Sequence, residues 1–591
     1  MLVGPVLARE LVTAPRDWRL YFVRALYVAA LFALAVTAWL ILIGSQPIRT
    51  LGDLSRFGAA AFALLAPVQL ALATAFSALL TAAAVAQEKD RRTLDLLLMT
   101  NMTNSELVLG RLLASIWAVM GLVVAGAPLL MLLVLLGGVA PAQVARVTGV
   151  TLAASFAAGS LGSTLALWRE KTFQTLAMTA LGLVLWLLLG EALANGSATG
   201  AGTEREGAWA AAASPLRAIL AAAEPQAEAE PLVAEIPWLG GAAAWFMLLS
   251  SAGGALLNGL AIWQIRVWNP SREVQQAPAA GGAVASGDRV DVHAAPGRAR
   301  EVWDNPILWR EVCTWAYGKK IVLVRAAYLA LAAACIAAVA GIATQPAATV
   351  GAALPPLVRP LVPLVVVGLL LVNALAVTSL TNERDLRALD LLLVTDLTPK
   401  EIVFGKLAGI FYNSKEMILT PLAICGVLWS VGRLGGEELL LLILGQLVMA
   451  SFAAMLGVHC GMMYANSRTA VGVSLGTVLF LLLGIAVCMR MLVAFQTSFG
   501  KQLYAFAAFI VGGSVGLYCA IGARRESTAI KWASSIAPLS TFFVLTSFLK
   551  GNYGAAALVT ALAYGFATAS LLVPAVFEFD VATGRTAARD L

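Results

Sequence analysis

The feature that most constrains this chain is the recurrence, along nearly all of its 591 residues, of apolar runs long enough to cross a membrane. A spanning helix needs about 20 mainly apolar residues. Such runs lie near residues 25–43, 58–86, 112–137, 144–167, 173–193 and 238–264, then near 322–343, 357–381, 407–430, 438–463, 471–495, 504–522 and 552–575. Only 12% of the residues are charged, against about a quarter in soluble domains. Alternation on a period of two is absent, which disfavours a β-barrel. The expectation is an all-α polytopic membrane protein. Arg9, Glu10, Arg16 and Asp17 precede a first run of full length with no small-residue cleavage site. That run is therefore expected to stay as a helix rather than be removed as a signal peptide.

Charge placement orients the chain. Lys and Arg cluster before the first run (Arg9, Arg16, Arg19), after the second (Lys89, Arg91, Arg92, Arg111), after the fourth (Arg169, Lys171) and after the sixth (Arg266, Arg272), whereas the loop near 195–237 is acidic. Excess positive charge marks the cytoplasmic side, so the N-terminus and the loop after the second run are expected there. Residues 269–303, rich in Pro, Gly and Ala, read as a cytoplasmic flexible linker. The six cysteines are scattered through apolar runs without CxxC spacing, as small core residues rather than a disulfide frame or metal site.

The chain also repeats itself. EKDRRTLDLLLMTNMTNSELVLGR at 88–111 and ERDLRALDLLLVTDLTPKEIVFGK at 383–406 are identical at 13 of 24 ungapped positions, GPVLAREL at 4–11 matches NPILWREV at 305–312, and Arg24 and Tyr27 match Arg325 and Tyr328. The reading is two parallel repeats of about six transmembrane helices, 1–268 and 304–591, related by a pseudo-two-fold axis along the membrane normal. Twelve spanning helices are expected, with up to fourteen possible. The stretch from Thr469 to Pro538 is longer than its counterpart from Thr172 to Pro215, and the excess coincides with 504–522. Arg524, Arg525 and Lys531 favour a cytoplasmic end for that segment, which would make it spanning and require a further crossing near 532–549. A re-entrant or outer-face segment is the alternative.

Nothing between Glu88 and Met99 breaks a helix, and Glu88 with Arg92 and Arg91 with Asp95 sit at i,i+4. Leu94, Leu97 and Leu98 share another face. Thr103 with Glu106, and Thr398 with Pro399 and Glu401, are capping-box patterns opening the next helix. A short amphipathic helix here could lie against lipid headgroups or dock a partner. Both copies keep the acidic pairs Glu88/Glu383, Asp90/Asp385, Asp95/Asp390 and Glu106/Glu401, and anionic groups gain nothing from an anionic leaflet. They suit a protein partner.

These motifs closely resemble those of permeases of the type-2 ATP-binding-cassette (ABC) exporter family. In that family the loop after the second crossing carries a coupling helix that docks into a nucleotide-binding subunit. An amphipathic elbow helix, similar to PVLAREL and PILWREV, precedes the first crossing. The resemblance implies coupling roles for Glu88, Arg92, Leu94, Asp95, Leu97 and Glu106 in the first copy, and for Glu383, Arg387, Leu389, Asp390, Leu392 and Glu401 in the second. It places Arg9, Glu10, Arg310 and Glu311 on the elbow helices. It further implies two separate ATPase subunits carrying ATP and Mg, no cofactor or metal on this chain, no catalytic residues, an unidentified exported substrate, no nucleic-acid partner, and residence in the bacterial inner membrane. The chain departs from the pattern in fusing two permease units and in its extra segment. Thr93 is matched by Ala388, so that hydroxyl is not expected to be essential.

Two other classes remain open, an ion-coupled secondary transporter with paired six-helix halves and a membrane scaffold for assembly or maturation of surface or periplasmic machinery. Ion-coupled carriers place ionisable groups near the midplane, and the main polar interruptions here are Gln69, Asn373, His459 and Arg490. His459 reads as a packed polar residue, and Arg24 and Arg325 as side chains snorkelling to the interface. No GxxxxGK[ST] phosphate loop occurs. The purified chain is accordingly predicted neither to bind nor to hydrolyse ATP; hydrolysis that survives removal of contaminating ATPases would refute this.

Overall fold

The computed structural model describes residues 7–8, 12, 18–45, 50–91, 93–169, 172–196, 209, 211–224, 241–269, 302–313, 321–343, 359–494, 499–522 and 527–580, and contains no strand among them. The first half comprises α1 (Trp18–Ser45), α2 (Leu51–Asp90), α3 (Thr93–Leu98), α4 (Asn104–Leu135), α5 (Pro141–Trp168), α6 (Thr172–Gly196), α7 (Pro215–Ala223) and α8 (Ala242–Trp268). The second comprises α9 (Pro306–Cys313), α10 (Ile321–Ala343), α11 (Leu361–Asp385), α12 (Ala388–Leu393), α13 (Pro399–Asn413), α14 (Lys415–Ser430), α15 (Gly436–Met463), α16 (Ser467–Ala494), α17 (Phe499–Ile521), α18 (Thr528–Leu549) and α19 (Tyr553–Phe577).

Twelve of the described helices are long and apolar enough to cross a membrane: α1, α2, α4, α5, α8, α10, α11 and α15 to α19. The protein is thus an integral membrane protein by the length and composition of its helices. The set differs from the one expected. α6, at 25 residues, covers the run expected at 173–193, but the run at 407–430 is two helices rather than one. Asn413, Ser414, Lys415 and Glu416 interrupt it. Ser414 takes φ −107° and ψ 11°, and its hydroxyl donates to the Ile410 carbonyl at 2.8 Å, a local bond that competes with helix continuation.

α2 packs on α5, and α11 on α15, with close approach of the backbones. Glycine permits it. A Cβ at Gly162 would collide with the Ala78 carbonyl, and one at Gly457 would lie 2.6 Å from Ala376 Cβ and 2.8 Å from the Asn373 carbonyl. Polar side chains cross the same interfaces, Ser77 Oγ donating to the Ser155 carbonyl at 2.6 Å and Asn373 Nδ2 to the Ala453 carbonyl at 2.8 Å. Around these pairs, α8 lies on α5 and α19 on α15, while α6 lies on α2 and α16 on α11. The halves meet where α6 packs against α10 and α11, and α16 against α2. One core cluster joins Leu79, Phe173 and Leu176 to Leu371, Leu375, Val471 and Leu475.

The segment at 504–522 is α17, a helix of spanning length. Near its start Phe506 packs on Phe542, with ring centroids 5.1 Å apart. At its other end Tyr464 Oη donates to the Ala520 carbonyl at 2.9 Å, and His459 Nε2 lies 3.2 Å from the Ile521 carbonyl. It therefore finishes beside the C-terminal end of α15, and α18 returns as a further helix. This agrees with the spanning reading rather than the re-entrant one. α17 also packs along α1.

Gly162→Ala and Gly457→Ala should each destabilise the protein by about 1–3 kcal/mol through overpacking. Gly253→Ala, with nothing within 4 Å of the added carbon, should not. Thermal unfolding in detergent measures this, and equal behaviour of all three variants would refute the close-approach argument.

Candidate functional site

The charged stretches lie at one end of the bundle, and the chain does not run through them as single helices. α2 stops at Asp90, Arg91 caps it with φ −79° and ψ −4°, and α3 restarts at Thr93. In the second half α11 stops at Asp385 and Arg387 turns the chain with φ 56° before α12. A non-glycine residue in this left-handed region costs roughly 1 kcal/mol, so the break is imposed by the surrounding packing. Of the i,i+4 pairs expected within one helix, Arg91 turns to Asp385 rather than to Asp95. Arg92, Arg9 and Glu10 lie outside the described residues.

The charges pair across tertiary contacts instead. Glu88 pairs with Arg111, at the start of α4. At the equivalent place Glu383 pairs with Lys406 at 2.6 Å and also with Arg310. Lys406 is 2% exposed and lies 2.6 Å from Glu311 as well, and its ammonium donates to the Ser379 carbonyl at 3.3 Å. α9 reaches this cluster by close approach, since Cβ atoms at Gly405 and Gly409 would lie 2.7 Å from Asn305 Oδ1 and 2.6 Å from Glu311 Cβ. Burial works against the Arg310 charge, but the Glu383 and Glu311 carboxylates outweigh it and hold its pKa above the ordinary value. Lys406 was not among the expected site residues; the signal that could have found it is the basic residue, Arg111 or Lys406, closing both copies of the motif.

Two further basic residues fix where the second crossings end. Lys89 Nζ donates to the carbonyls of Leu167 and, at 2.9 Å, Arg169 at the end of α5. Arg384 donates to the carbonyls of Gly461 and Tyr464 at the end of α15. Cations there satisfy orphan carbonyls and meet the negative end of the helix dipole. Arg325 does not simply snorkel, because it bonds the Asn413 carbonyl at 3.2 Å and lies 3.4 Å from Glu416.

Most of the acidic residues are thereby engaged inside the chain. Asp90 accepts from the Thr172 hydroxyl and Asp385 from Arg91 Nε. Glu106 and Glu401 are capping-box residues, accepting from the backbone N–H of Thr103 at 3.0 Å and of Thr398 at 2.8 Å. The Thr398 N–H, then its hydroxyl, holds the Glu401 carboxyl below the usual range. The short helices expose what remains. Leu94 and Leu98 are buried against Leu107, Val108 and Ile265, with Leu97 partly so, and Leu389 is buried with Leu392 half-buried. On the other side Leu96 is 66% exposed and Leu391, its counterpart, 74%; Met99 and Val394 are likewise exposed. Half-buried Asp95 and exposed Asp390 lie beside them, and neither has an ion pair with a described residue.

Among the described residues no group of His, Cys, Asp or Glu could hold a metal ion. No protein-family model matches the chain, and no curated protein matches it significantly.

Lys406→Met leaves two carboxylates, buried Glu311 and half-buried Glu383, against the single Arg310 cation and should cost about 3–5 kcal/mol. Adding Glu311→Gln and Glu383→Gln to it should recover most of that loss. Thermal unfolding reports both, and an equally unstable triple variant would refute the pairing.

Proposed function

We propose that the chain is the permease of an ABC-type exporter, two permease units in one polypeptide, driven by two separate nucleotide-binding ATPase subunits that dock on α3 and α12. The observation that carries this reading is the matched surface of the two short helices. Asp95, Leu96 and Met99 recur as Asp390, Leu391 and Val394, turned away from the bundle at its charged end, while the buried leucines of the same helices are seated in it. Two copies of one surface suit two copies of one partner. The matched packing of α2 with α5 and α11 with α15 supports two equivalent units. In this reading α9 is the second elbow helix, tied to the motif through Lys406; ATP and Mg reside on the partner, and the charged end faces the cytoplasm of a bacterial inner membrane.

The docking set is narrower than the motif. Glu88, Glu383, Glu106 and Glu401 serve the chain's own fold, so the partner reads the exposed apolar residues and the two unpaired aspartates. An ion-coupled carrier has less support, because the buried polar pair Asn373 and Ser474, 2.9 Å apart, is not ionisable, and buried His459 lies near the charged end of α15 beside the Ile521 carbonyl.

Asp95→Lys combined with Asp390→Lys separates docking from a lipid-surface role. At a membrane surface the new lysines would strengthen attachment, by about 1 kcal/mol each near anionic lipid. At a docking surface they oppose the partner's charge, and a combined loss of a few kcal/mol is expected. Co-purification of the ATPase should fall sharply at unchanged abundance of this chain, and adding Leu96→Glu with Leu391→Glu should abolish it. Retention of the partner by the quadruple variant would overturn the reading.

A further inference from the structure

Two side-chain contacts bridge the halves at the charged end. Arg91 Nε lies 3.2 Å from Asp385 Oδ1, and Gln87 Nε2 donates to Asn466 Oδ1 at 3.0 Å. They border a narrow polar cleft on the seam between α2, α6, α11 and α16, lined also by Asp90, Thr172, Thr381 and Ser467. Ser467 is 5% exposed and its hydroxyl has no hydrogen-bond partner, a buried polar group on the wall of the cleft. Deeper in the seam the contacts turn apolar, with Leu80 against Gly472 and Phe76 against Gly476.

We infer that Arg91–Asp385, reinforced by Gln87–Asn466, is a latch that closes the charged end of the path between the halves. The inference rests on the permease reading, which makes the seam a path. Asp385 is nearly covered, at 5%, whereas Arg91 is 45% exposed. An ion pair with one such exposed member holds weakly, and Arg91 can withdraw into water while Asp385 stays in place. The latch is single. The counterpart of Arg91 is Leu386, and Asp90 accepts from Thr172 in its own half. With Leu386 in the equivalent place, the Arg91–Asp385 contact has no symmetric twin, so opening at this end starts where Arg91 lets go.

The test uses the full chain in proteoliposomes, with its six cysteines replaced and one reporter, Leu80→Cys, beneath the latch. A membrane-impermeant maleimide is added on the side of the charged end. Labelling should be slow in this background and about tenfold faster with Arg91→Glu, which sets like charges face to face. Arg91→Ala should accelerate it less, which keeps the test valid if the reversal misfolds. The swap Arg91→Asp with Asp385→Arg should restore the slow rate. Unchanged labelling in the Ala variant and in a folded Glu variant, or acceleration that the swap fails to reverse, overturns the latch. No ATPase is present in these measurements, so loss of the docking proposal would leave them unchanged, and their failure would leave that proposal standing.

Discussion

The structure hangs on two close crossings of helix backbones, α2 over α5 at Gly162 and α11 over α15 at Gly457. Lipid offers helices no hydrophobic reason to associate, so contact must come from shape, and small residues allow the backbones to approach. Once these pairs are set, α8 and α19 lie on the outer helices of the pairs, and α6, α16 and the packing of α17 along α1 carry the contacts between halves. The end of each pair is then determined by charge. Lys89 and Arg384 reach the last carbonyls of α5 and α15, and the chain breaks immediately beyond, so the short helices start at matched places.

That break decides what the charged motif is for. A continuous helix would have spent its charges on neighbours one turn away. The broken one sends Glu88 to Arg111, Glu383 to Lys406 and Arg91 to Asp385. A buried cluster such as Lys406 with Glu311 and Glu383 is weak evidence of added stability, since desolvation offsets much of the attraction. Its consequence is mechanical. It joins α9, α11 and α13 at one point, next to α12. What the cluster leaves unengaged, the aspartate and two apolar residues at each short helix, is the surface to which the proposed partner is assigned.

The halves are alike in their central pairs and unlike at their edges. α17 lies along α1, whereas α10 meets α6 directly. The first half spends Asp90 on Thr172 while the second offers Asp385 to Arg91. A duplicated chain is free to diverge in this way because each half is encoded separately, whereas a homodimer must change both sides together.

Much of this was legible in the sequence because the signals are local. Spanning length follows from uninterrupted apolar runs, and the boxes at Thr103/Glu106 and Thr398/Glu401 form as read because cap and acid are three residues apart on one turn. The inward set Leu94, Leu98 and Leu389 follows from spacing on a helix surface. The break after Asp90, the αL turn at Arg387 and the burial of Lys406 were not legible. Each depends on a residue far away in the chain, a carbonyl of α5 or α15, or a carboxylate on α9, that enters only when helices pack. Sequence by itself determined that the chain crosses membranes as helices and carries one charged motif twice, since both depend on composition and short-range order. Only the tertiary structure decided which of those charges the protein keeps for itself and which it presents, because an ion pair is settled by distance in space and not along the chain.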